Sequence, residues 1–172
     1  HAQRRIEIEP GRRLNLYCTG HGTPTVVFDS GLGDGTKVWG LVQPVIVRHT
    51  RACSYDRAGL GFSDPARRPG TSANTVDYLR RLLHAADIAP PYVLVGHSLG
   101  GMNVKLYAEA QPNEIAGMVL VDPSHEDLGR RLWQLDPDYK TRYVPYIRSL
   151  QPCLHATPTD LAGPSNLSKT CV

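Results

Sequence analysis

A glycine-rich turn set between a strand and a helix constrains this chain more than any other stretch. Tyr92-Val93-Leu94-Val95 reads as a buried strand, Gly96-His97-Ser98-Leu99-Gly100-Gly101 follows, and a helical pattern runs from about Met102 to Ala110. A G-x-S-x-G at such a turn holds its serine on strained backbone, and its flanks must be very small for strand and helix to pass. The geometry lifts the Ser98 hydroxyl clear of the sheet. The free N–H groups and dipole of the next helix then favour an oxyanion beside it. Ser98 is therefore the candidate nucleophile, against the alternative that five common letters form a chance turn.

The flanking sequence supports that reading by its rhythm. Arg5 to Glu9 and Arg13 to Cys18 alternate around Pro10-Gly11, which predicts a hairpin. Thr25-Val26-Val27-Phe28-Asp29 is continuously apolar, as a strand covered on both faces should be. It runs into Ser30-Gly31-Leu32-Gly33-Asp34-Gly35. A helical stretch from about Thr36 to Arg48 carries Val38, Leu41, Val42 and Val45 on one side, with Pro44 shortening or bending it. Arg51 to Asp56 is the next strand. Thr71 or Ser72 can cap a helix to about Asp87, with Val76, Leu79, Leu83 and Ala86 as its core stripe. Ile115 to Asp122 reads as another buried strand. Strands alternating with helices predict an α/β fold, a mostly parallel sheet with helices on both faces. From Pro123 the rhythm stops. Leu128 to Leu150 is helical in pattern, and Pro152 to Val172 has little periodicity.

Composition removes several function classes. At 172 residues the chain is one domain with room for a core, and no apolar run approaches a membrane span. Net charge is +3 with scattered arginines, so a nucleic-acid groove is not expected. Cys18, Cys53, Cys153 and Cys171 lack zinc-site spacing, and no metal is expected. An early and a late pair fit two disulfides in an oxidising compartment, secreted or periplasmic; four buried free thiols is the other reading. His1-Ala2-Gln3 could be the remnant of processing, and Asn166-Leu167-Ser168 is a glycosylation sequon of low specificity.

In this order the motifs resemble the α/β-hydrolase superfamily, especially its single-domain serine esterases, over about Arg5 to Asp122. Gly96 to Gly101 is similar to the family's nucleophile elbow. Ser30-Gly31-Leu32-Gly33 stands where an oxyanion loop follows the third strand, with serine where histidine is common. Tyr55-Asp56-Arg57-Ala58-Gly59-Leu60-Gly61-Phe62-Ser63-Asp64 resembles the D-x-R-G-x-G-x-S loop. The resemblance implies a core over residues 1–122, its first six strands, and the start of a cap over 123–172, with later strands and the end of the cap missing. It implies that the backbone N–H groups of Leu32 and Leu99 form the oxyanion hole, and that Asp56 and Arg57 are structural. It also places the second and fourth strands side by side, which makes a Cys18–Cys53 bridge reasonable and leaves Cys153 with Cys171.

A serine hydroxyl needs a base, and the base an orienting acid. The family's order is serine, then aspartate or glutamate, then histidine, and the later strands that carry the last two are absent. His49 and His84 precede the elbow on helix-rich segments, and His97 should point away from its serine neighbour. One expectation is that acid and base sit on a second polypeptide or a missing segment. Another is a compact triad of Ser98, Asp122 and His155 or His125. A third is a non-catalytic binding protein. The expected activity is cleavage of a small-molecule carboxylic ester through an acyl-enzyme, without a cofactor; amidase, lactonase or peptidase chemistry would use the same parts. Trp133, Tyr139, Tyr143, Tyr146 and Leu150 either wall an acyl pocket or pack the cap.

Overall fold

Period-two alternation in the central strands sends neighbouring side chains to opposite faces of one sheet, and each face has its own cover. A computed structural model describes residues 2–124, 127–136 and 138. Strand β1 (Gln3–Glu9) and β2 (Arg12–Thr19) form the expected antiparallel hairpin. Strands β3 (Thr25–Asp29), β4 (Ala52–Tyr55), β5 (Tyr92–His97) and β6 (Ile115–Val121) are mutually parallel, and the sheet order is β1-β2-β4-β3-β5-β6. All residues of β3 and β4 are buried, which is why β3 reads as a continuous apolar run.

One face packs against α2 (Ser72–Ala85) and α3 (Leu99–Ala110): Val27 and Leu94 meet Leu79, Leu83, Val104 and Tyr107. The opposite face places Val26, Phe28 and Val95 against Trp39, below the short α1 (Gln43–Ile46). The predicted core stripe of α2 is buried at Val76, Leu79, Leu83 and Ala86. Its start is fixed as expected, because the Thr71 hydroxyl accepts from the Asn74 N–H at 3.2 Å. Cys18 and Cys53 face each other in the β2–β4 register and are disulfide-bonded.

Three expectations need correction. The stretch from Thr36 to Arg48 is not one helix but a 3-10 turn, Thr36–Trp39, followed by α1, with Pro44 in the opening turn of α1 rather than bending a longer helix. Its expected apolar side is turned outward, with Leu41 at 90% exposure, and Trp39 and Gln43 are the buried residues. The elbow helix starts at Leu99, not near Met102, because Gly100 and Gly101 are helical residues chosen for close packing rather than for a loop. Strand β6 is not buried: Met118, Val119, Leu120 and Val121 are 39–49% exposed. It is the last strand of the sheet, and among the described residues nothing pairs with its outer edge. Helix α4 (Leu128–Leu135) follows it. The remaining expectations for the tail, including Tyr139, Tyr143, Tyr146, Leu150, the Cys153–Cys171 bridge and the Asn166 sequon, lie outside the described residues, as does the side chain of Trp133.

Candidate active site

Ser98 joins β5 to α3 at φ 51° and ψ −117°, a conformation that costs a non-glycine residue about 1–3 kcal/mol. Neighbouring backbone groups hold it there. Its N–H donates to the Val121 carbonyl at 3.2 Å, and its carbonyl accepts from the Gly101 and Ser124 N–H groups, both at 2.9 Å. The flanking glycines are demanded by contact. A Cβ on Gly96 would lie 2.5 Å from the Gly100 carbonyl oxygen, and one on Gly100 would overlap the Asp29 and Ser30 carbonyls. The elbow helix thus sits directly against the end of β3, where the second glycine loop begins.

That loop is held from below by a buried charge network. The fully buried Asp29 carboxylate accepts from Arg57 Nη1 at 2.6 Å, Tyr55 Oη at 3.0 Å and Asn103 Nδ2 at 3.0 Å. It therefore ties β3, the end of β4 and α3 together. Arg57 also donates to the Ser30 carbonyl at 2.6 Å and to the Gly31 carbonyl. Burial first, and the Asp29 charge second, push the Tyr55 phenol well above its ordinary value, so it stays a donor. Ser30 Oγ donates to the Gly35 carbonyl at 3.0 Å and accepts from Trp39 Nε1 at 2.9 Å.

Asp56 performs the same service one layer out. It accepts from the Thr36 N–H at 2.7 Å, Asn15 Nδ2 at 2.8 Å and the Phe62 N–H at 3.1 Å. Asp56 and Arg57 are thereby spent on loop geometry.

The result is a loop carrying Leu32 beside a helix start carrying Leu99. Among the described residues, neither the Leu32 nor the Leu99 N–H donates to a carbonyl or a side chain. Two unpaired amides thus lie beside a serine on a strained strand-to-helix turn. Residues 24–153 match the family described as alpha/beta hydrolase fold. The chain belongs to that family.

Relatives of this alpha/beta hydrolase are longer. The protein YqjL of Bacillus subtilis strain 168 is 39% identical over 103 residues, covering 60% of this chain and 41% of YqjL. The meta-cleavage product hydrolase CumD from Pseudomonas fluorescens IP01 superposes with a TM-score of 0.62 at 25% identity, covering 70% of this chain and 45% of CumD. An alpha/beta hydrolase from Novosphingobium aromaticivorans DSM 12444 superposes at 0.65 with 22% identity, covering 98% of this chain and 61% of that one. The chain spans less than half of YqjL and of CumD.

Within this alpha/beta hydrolase chain, Ser98 is half-buried. Among the described residues, the group recorded within hydrogen-bond reach of its Oγ is Ser124 Oγ at 3.4 Å. The three histidines weighed upstream are not brought to it as bases. His49 and His84 are exposed, and the His97 imidazole lies over the second glycine loop, its Nδ1 3.1 Å from where a Gly31 Cβ would stand. Asp122 follows directly after β6 at φ 41° with an exposed side chain. His125 and His155 lie outside the described residues. No group of three or more metal-ligating side chains occurs among the described residues, and none of their helices is long and apolar enough to cross a membrane.

Ser124 and Asn103 escaped the sequence reading. Asn103 had a signal, since an amide on the inward face of an otherwise apolar helix needs a buried partner. Ser124 had none, because its approach to Ser98 depends on how the chain leaves β6.

Proposed function

We propose that this chain carries the nucleophile and oxyanion hole of a serine hydrolase that cleaves a carboxylic ester of a small molecule. Ser98 Oγ bonds to the acyl carbon as its proton passes to a histidine, and the C=O electron pair moves onto the oxygen. The N–H groups of Leu32 and Leu99 receive that oxyanion, each such donor being worth about 3–4 kcal/mol in reactions of this class. Collapse expels the alcohol, which takes the proton from the histidine. Water then repeats the sequence on the acyl-enzyme and frees Ser98. The parts in this scheme need no cofactor.

The observation that carries this reading is the strained backbone of Ser98 at the head of α3, next to an unpaired Leu99 amide. The histidine and its aspartate are assigned to polypeptide beyond these residues. The matched relatives are longer single chains, so a missing segment is favoured over a separate second polypeptide. Residues 1–122 serve as the catalytic core and 123–172 open the cap. The Cys18–Cys53 bridge supports a secreted or periplasmic setting. Hydrolysis of p-nitrophenyl esters by the protein carrying this chain tests the reading: turnover lost in Ser98→Ala supports it. Equal turnover in the variant refutes it, and absent turnover in both favours a binding protein.

A further inference from the structure

His97 closes β5 one residue before the nucleophile, and the proposed chemistry leaves its imidazole without a task. The β3–β5 register ends on Asp29 with Gly96, which brings His97 alongside the start of the Leu32 loop. The half-buried ring lies against Gly31. Its Nδ1 and Cε1 stand 3.1 Å and 3.3 Å from where a Cβ on that glycine would be, and Asp34 Oδ2 stands 3.0 Å from the same point. Among the described residues, neither the His97 nor the Asp34 side chain is hydrogen-bonded or ion-paired. The contact is therefore one of shape: a flat ring set against backbone that carries no side chain.

That backbone belongs to the peptide that carries the Leu32 donor. The Gly31 carbonyl and the Leu32 N–H are opposite ends of one planar unit, so tilting the unit at either end re-aims the amide. Arg57 and the Asp34 N–H, the second at 3.2 Å, both hold it by the carbonyl oxygen. Anchors on a single atom leave rotation about that atom open. The glycines at 31 and 33, the second at φ 80°, resist such rotation weakly. A contact at the Gly31 Cα lies off the pivot and stops it. His97 supplies that contact from the strand that leads into Ser98, so nucleophile and donor are set by adjacent residues.

We propose that His97 is a positioning residue of the oxyanion hole, acting through the packing of its ring on Gly31 and not through a proton. The proposal rests on the hydrolase reading and adds to it a side chain that touches no reacting atom. Its test is the rate of Ser98 labelling by an alkyl fluorophosphonate in the protein carrying this chain, resolved into reagent binding and bond formation. His97→Ala should slow bond formation about tenfold to a hundredfold and leave reagent binding little changed, because a donor used only in the transition state is misaimed. His97→Phe keeps a flat ring and should stay within about threefold of the wild-type rate.

Gly31→Ala puts a methyl where the ring lies and should slow labelling by itself. In the His97→Ala background the same methyl refills the vacated space and should restore much of the rate. Urea midpoints verify that each variant is folded. If His97→Ala does not fold, His97→Phe and the double variant decide the matter alone. A wild-type rate in folded His97→Ala, a large loss in folded His97→Phe, or a double variant slower than Gly31→Ala overturns the role. An unlabelled wild-type Ser98 shows instead that the hydrolase reading fails, and the role falls with it.

Discussion

Replacing Arg57 by methionine removes the clamp beneath the Leu32 loop, and the structure sets the size of the effect. Asp29 is fully buried and Arg57 nearly so, with 2.6 Å between Nη1 and Oδ1. Removing one partner of such a pair strands a buried charge and costs about 3–5 kcal/mol. Tyr55 and Asn103 still donate to the carboxylate, which favours the lower half of that range. With a urea m-value of about 2 kcal/mol/M, the unfolding midpoint should fall by about 1.5–2 M.

Asp29→Asn should recover much of this loss when combined with Arg57→Met, because an amide can keep one acceptor without a stranded charge. A double-mutant cycle should then show coupling of about 2 kcal/mol or more. Additivity within about 0.5 kcal/mol would refute the claim that the pair is a coupled buried unit. Reactivity should behave differently. The double variant still lacks the donors to the Ser30 and Gly31 carbonyls, so labelling of Ser98 should remain slow where stability has recovered.

Three further outcomes follow from other contacts. The bridged cysteines are 35 residues apart, so Cys18→Ser with Cys53→Ser should lose about 4 kcal/mol on the chain-entropy estimate, read as a lower urea midpoint that reductant no longer changes. Ser124→Ala removes a long 3.4 Å contact to Ser98 Oγ and should slow Ser98 labelling about twofold to tenfold; a loss beyond about a hundredfold would give Ser124 a direct chemical role.

Burial first, and the Glu114 carboxylate second, push the Tyr92 phenol up from 10.0 to about 12, and Tyr107 moves further the same way. The folded state thus holds phenolic protons that the unfolded state releases. The resulting stability is full below about pH 10 and lost as pH rises through about 12, so urea midpoints should decline across that interval. A Tyr92→Phe variant should decline less steeply.

The sheet was legible because apolar runs and glycine turns are local signals. β3 is buried on both faces, and nothing outside its apolar run was needed to find it. The stretch from Thr36 to Ile46 misled because its apolar residues have helical spacing, yet Trp39 and Gln43 are the ones drawn inward. Gln43 Nε2 donates to the Ala52 carbonyl at 2.9 Å, a long-range polar contact that no periodicity announces. The start of α3 misled for the opposite reason. Gly100 and Gly101 look like loop residues by propensity, but there they are helical residues required by close approach to β3 and Pro123. At the site, the strained turn at Ser98 was legible from its own motif, whereas Leu32 and Leu99 were named through the resemblance to the family. The Asp29–Arg57–Asn103 network could not, because its members lie on three separate elements that meet only after folding.

The most direct test is intact-mass and peptide-mapping mass spectrometry after incubation of the protein carrying this chain with an alkyl fluorophosphonate. A reactive hydroxyl at the elbow, served by two waiting amides, should yield one adduct that maps to Ser98 and vanishes in Ser98→Ala. An unmodified Ser98, or equal labelling of the alanine variant, would contradict the account.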